Sequence, residues 1–159
     1  MRYLFLTITL LLSLLGSAKS SKVYKSVDFK FSVSVPKTWS LYGEKIEIAN
    51  KRMLIDWGLP KVSGIENSIS IQVFKDKSKQ NLITQQYLDM AGNCALEIEN
   101  GGSDQRIVYC TRNGVEYKGK LYFVEKNKIA YLISFMASPN TYTVNLPVFE
   151  KFYKSLKFQ

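Results

Sequence analysis

The chain has two cysteines, Cys94 and Cys110, and no histidine. Two chemistries are open to such a pair: a redox couple or reactive thiol, and a structural disulfide in an oxidising compartment. Both sit in the run NCALEIENGGSDQRIVYCT, residues 93–111, where two strand-like halves flank a turn of Asn100, Gly101, Gly102, Ser103 and Asp104. Folding this run about Gly102 sets Ile98 against Arg106, Leu96 against Val108, and Cys94 against Cys110. A slip of one residue would send the two sulfurs to opposite faces of the sheet. Register and spacing favour the disulfide, which needs no further partner.

The missing histidine removes Ser-His and Cys-His nucleophiles, imidazole bases and His-ligated metals. Two cysteines cannot close a zinc site alone, and no run is dense enough in oxygen ligands for a calcium loop. Glu44 with Glu47 and Glu97 with Glu99 are the nearest carboxylate pairs that could serve a glycosidase. Solvated strand faces carry the same pattern. No nucleophile elbow, P-loop or dinucleotide fingerprint occurs. Neither a catalytic residue nor a cofactor or metal site is nominated. The alternative to a binder is a hydrolase with a carboxylate- or lysine-based site assembled from separate loops.

One stretch suggests a binding surface. Trp57 lies in the irregular segment 49–66, flanked by Lys51, Arg52 and Lys61. It reads either as a strand and loop packed on the core or as an exposed aromatic lip ringed by cations. Lysines and aromatics also interleave at 117–122 and 151–154. Alternating strand and helix faces explain both runs, and nucleic acid is an unlikely ligand for an exported protein.

Export itself is read from residues 1–20. Arg2 gives a positive start, residues 4–15 are almost wholly apolar, and Gly16, Ser17, Ala18 and Ser20 supply small residues for cleavage. This is the pattern of a secretory signal peptide, with an uncleaved anchor as its rival. No cysteine near the cleavage region supports a lipid anchor, and no later apolar run is long enough to span a bilayer. The remaining residues, 21–159, make one domain, periplasmic or secreted. The formal charge of +9 falls to +7 once Arg2 and Lys19 leave with the leader. A basic exported domain is attracted to anionic phospholipid, lipopolysaccharide or acidic glycan.

The elements follow from periodicity. Residues 21–28 are a polar lead-in. Phe29, Phe31, Val33 and Val35 alternate with polar residues, which predicts a half-buried strand stopped by Pro36. Trp39 and Leu41 are expected to return to the core, and Ile46 and Ile48 to form a short strand. Ile69, Ile71 and Val73 mark another strand, and residues 81–91 take helical spacing. Asn113-Gly114 is a turn signal. Residues 115–125 and 129–137 read as an antiparallel hairpin, its second member apolar enough to be a central strand. Ser138-Pro139 opens a helical stretch that Pro147 is expected to split. Leu156 and Phe158 close as a final short strand.

Three features then resemble the PsbP and Mog1 family of small domains, which includes DcrB-like periplasmic proteins. They are Phe29-x-Phe31 followed by Pro36-x-x-Trp39, the hairpin from Tyr117 to Ala137 leading into Ser138-Pro139, and the ending Leu146-Pro147-Val148-Phe149-Glu150-Lys151 with Ser155-Leu156-Lys157-Phe158. The resemblance implies an α+β protein, an α/β/α sandwich with a largely antiparallel sheet. It implies little about activity beyond members that mostly bind other proteins; taken with the leader, the basic charge and the missing catalytic constellations, it points to a non-enzymatic accessory protein of the bacterial envelope that binds another protein or an anionic envelope component. It carries over no catalytic motif, and fold is only a guide to function.

Overall fold

A computed structural model describes residues 21–47, 49, 51–60, 67–91, 94–98 and 104–159. The leader, Ile48, Lys61, the turn at Gly101 and Gly102, and Glu99 lie outside them.

A seven-stranded antiparallel sheet forms the middle layer. Its strands are β3 (Ser40–Glu47), β4 (Arg52–Gly58), β5 (Ser68–Phe74), β6 (Cys94–Ile98), β7 (Gln105–Arg112), β8 (Val115–Lys126) and β9 (Ile129–Ala137), ordered β3-β4-β5-β9-β8-β7-β6. Helix α1 (Lys79–Met90) lies on one face. Helix α2 (Pro139–Lys154) covers the other, together with a small sheet of β1 (Ser21–Ser26), β2 (Phe31–Pro36) and β10 (Lys157–Phe158). The architecture is the expected α/β/α sandwich.

Alternation sends odd residues of β4, β5 and β9 towards α2, where Ile55, Ile71, Ile133 and Phe135 meet Phe149 and Phe152. The opposite phase of β8 and β9 sends Leu121, Phe123 and Leu132 towards Leu82 and Ile83 of α1. Strand β9 is buried on both faces, as its continuous apolar run requires.

Several sequence expectations need correction. The polar lead-in is largely strand β1, paired with β2 along its whole length. An edge strand buries little and tolerates lysine, so its sequence carries no apolar alternation. Phe29 is buried but sits in the turn before β2. Trp39 returns to the core, whereas Leu41 is exposed on β3, which starts at Ser40. Helix α1 begins two residues before the expected start, with Ser78 Oγ accepting from the Asn81 N–H at 3.2 Å. Helix α2 runs unbroken past Pro147. That proline faces outwards, while Tyr142 and Phe149 pin the turns on either side to the sheet. Losing one helical bond there costs less than undocking either half.

Candidate interaction surface

Cys94 pairs directly with Cys110 in the β6–β7 register, their Cα atoms 4.1 Å apart, and the sulfurs are bonded. The hairpin register read from Gly102 is the one observed, and the pair is a disulfide. Cys110 is buried under α1.

The aromatic lip does not form. Trp57 is 1% exposed. Its place on β4, in phase with Met53 and Ile55, turns the indole towards α2. There it meets Phe152 and Tyr24 edge-on, with ring centroids 5.6 Å away in both cases. The flanking cations part company with it: Lys51 and Arg52 are exposed at the start of β4.

Those two residues belong to a larger arrangement that the sheet register creates. The end of β3, the start of β4, the end of β5, the end of β8 and the start of β9 all reach one end of the large sheet. The turn before β2 joins them. Tyr131 of β9 donates to the Phe29 carbonyl at 2.9 Å, and Lys75 Nζ lies 4.8 Å over the Phe29 ring. The Gln159 N–H donates to the Lys30 carbonyl, and Asn127 Nδ2 to the Gln159 carbonyl. This pole therefore gathers Lys30 from one turn, Lys51 and Arg52 from a second, Lys75 and Lys77 from the loop after β5, and Lys126 and Lys128 from the β8–β9 hairpin. One of its carboxylates, Asp28, is exposed in the turn that carries Lys30, and the others are engaged. Asp76 faces Arg52 at 3.7 Å, Glu125 accepts from the Lys79 N–H at 2.6 Å, and Glu47 pairs with Lys45. Sequence reading named Lys51 and Arg52 and missed the rest, because they are scattered over a hundred positions.

A second ionisable cluster is structural. Glu150 of α2 accepts from Lys120 Nζ and from the Tyr122 hydroxyl, both at 2.8 Å. Tyr122 stacks on Tyr153 with centroids 3.8 Å apart. Burial opposes ionisation of Glu150, but the two hydrogen bonds and the charges of Lys120 and Lys154 outweigh it and hold its carboxyl below its ordinary value of 4.5. Burial and the Glu150 contact push the Tyr122 hydroxyl up, against the opposing pull of Lys120. A depressed carboxyl contributes stability that is present above the ordinary value and lost as pH falls through the folded one. Acid unfolding of the native protein should therefore lose a component in Glu150→Ala. The two partners should also differ. Lys120 is 8% exposed and Glu150 28%. Glu150→Ala removes the counter-charge from a buried ammonium and should cost about 3 kcal/mol, whereas Lys120→Met leaves a carboxylate that water reaches and should cost about half of that. Urea titrations at neutral pH read both; equal costs would contradict the asymmetry.

Two hollows stand out among the described residues. One, of about 610 Å³, lies between α2, β2 and the end of β4, walled by Trp39, Leu59, Pro147, Val148 and Phe152, with Lys151 as its ionisable group. The other, about 500 Å³, is an open depression beside the disulfide, where Glu116 is accompanied by Tyr109 and Tyr117. The Glu44–Glu47 pair does not converge: Glu44 accepts from the Tyr24 hydroxyl on the α2 side, while Glu47 shares the other face with Arg52. Of the other pair, Glu99 lies outside the described residues. Among the described residues no group of three or more metal-ligating side chains occurs, and no helix is long and apolar enough to cross a membrane.

No protein-family model matches the chain, and no curated protein matches it. Solved structures do. A Bacteroides thetaiotaomicron protein superposes with a TM-score of 0.50 and 19% identity over 87% of this chain and 48% of its own, so the chain spans about half of that protein. Cyanobacterial PsbP from Synechocystis gives 0.53 at 10% identity, covering 89% of this chain and 94% of its own. LpqN, involved in cell envelope biogenesis of Mycobacterium tuberculosis, gives 0.51 at 10% identity over 91% and 87%. Identities this low establish the shared fold, which is PsbP-like.

Proposed function

We propose that the chain is an exported, non-enzymatic accessory protein of the bacterial envelope that binds another protein or an anionic envelope component. The observation that carries this reading is the basic pole, where cations from four separate connections converge and outnumber the carboxylates beside them, most of which are engaged. Export is supported by the leader pattern, by the disulfide, which persists in oxidising compartments, and by the fold shared with an envelope-biogenesis protein. The hydrolase alternative would need a hollow with two convergent ionisable groups. The hollow by α2 offers Lys151 alone, the open depression by the disulfide sets Glu116 beside Tyr109 and Tyr117 with no cation or second carboxylate among the described residues, and the Lys120–Glu150 pair holds α2 to the sheet.

Crosslinking in intact cells, followed by identification of the captured species, tests the reading. The expected result is a reproducible partner whose recovery falls at high salt, because exposed charges are screened. Repeated failure to capture any partner, or turnover of a carbohydrate or ester substrate by the purified protein, would overturn it.

A further inference from the structure

The basic pole has a backbone feature that charge alone does not require. Among the described residues five non-glycine residues have positive φ, and three of them are lysines: Lys30 at 54°, Lys51 at 53° and Lys128 at 64°. All three cap separate connections at the basic pole. The left-handed region disfavours L-residues with a long side chain and suits glycine or asparagine. The molecule contains its own control. The β7–β8 hairpin turns on Asn113 and Gly114, at φ 53° and 75°, whereas the β8–β9 hairpin makes the same kind of two-residue turn with Asn127 and Lys128, at 53° and 64°. Asparagine-glycine is the favoured pair for that turn. At the far end of the sheet the favoured residue is present; at this end lysine replaces it.

Sparsely populated backbone states persist where something else over-determines them. We propose that these lysines are retained because the pole docks on an anionic lipid surface, which deepens the accessory-protein reading and rests on it. The cations come from separate turns and loops at one end of the sheet, so a broad anionic surface such as a leaflet meets several of them at once. The turn that carries Lys30 also presents Val27, 72% exposed, beside Asp28. An apolar tip among lysines suits the headgroup–acyl boundary and has no counterpart on an acidic polysaccharide.

The test uses the oxidised chain as it stands without the leader, residues 21–159, with vesicles of phosphatidylglycerol and phosphatidylcholine against vesicles of phosphatidylcholine alone. Cosedimentation should show binding to the anionic vesicles only, weakening as sodium chloride rises. The variant K30G/K51G/K128G should keep or raise the melting temperature, since glycine relieves the left-handed positions. Each lysine near such a surface contributes about fivefold, so vesicle affinity should fall about a hundredfold. Val27→Asp should weaken binding without lowering the melting temperature. Absence of binding by the native chain at low salt, or equal affinity in the triple variant, would overturn the lipid assignment. A protein or glycan captured in cells without vesicle binding would sink this inference while leaving the accessory reading standing.

Discussion

Trp57→Ala should destabilise the fold by about 3–5 kcal/mol, a large part of the roughly 5–15 kcal/mol that keeps a domain of this kind folded. The indole lies in the core cluster that Met53 and Ile55 of its own strand share, and it meets Phe152 from α2 and Tyr24 from β1 edge-on. It is the contact through which the large sheet, the helix and the small sheet meet. Truncation removes the transfer energy of the ring and opens a hole that three layers would have to close together, which they cannot do without shifting α2. Urea unfolding followed by far-UV circular dichroism reads the change independently of tryptophan fluorescence. A cost within about 0.5 kcal/mol would be that of a surface residue and would restore the exposed lip.

Trp57, which the sequence leaves open between a packed strand and an exposed lip, shows where sequence patterns are weak. The segment 49–66 mixes cations, glycines and a proline with its apolar residues, and that composition fits a loop as well as a strand. What decides the outcome is the phase of β4 against β5, Trp57 opposite Ile69 and Ile55 opposite Ile71, and that phase is set by long-range pairing. The strands that alternate over several residues, β2 and β5, were legible because one of their faces is buried. Strand β1 was not, because an edge strand buries almost nothing. The Cys94–Cys110 register was legible because the turn and the two sulfurs constrain each other within one short hairpin. The basic pole is the opposite case. Lys30, Lys51 and Lys128 are far apart in the chain, and only the sheet topology brings their turns to one end. The fold was therefore mostly readable from local signals, and the candidate site mostly was not.

Cys94→Ser/Cys110→Ser should cost about 3 kcal/mol, the amount expected from opening a loop closed over a sequence separation of 16. Position raises the stakes. Strand β6 is the last in the sheet and pairs only with β7. It has five residues and is hydrogen-bonded on one side only, so the cross-link is a large share of what seats it. The double variant avoids leaving a lone thiol, and serine at position 110 adds a hydroxyl beneath α1, where Cys110 is packed with Val108 and Leu121. The loss should therefore be larger than in the native chain treated with reductant, which keeps the sulfur in that apolar site; the difference between the two isolates the burial cost from the cross-link. Hydrogen exchange should locate the effect. Amides of β6 should lose protection first, while those of β5 and β9, at the centre of the sheet, should exchange only with global unfolding. Unchanged protection of β6 after reduction would mean that the strand stays seated without its cross-link, and the disulfide would then need a role other than securing this edge.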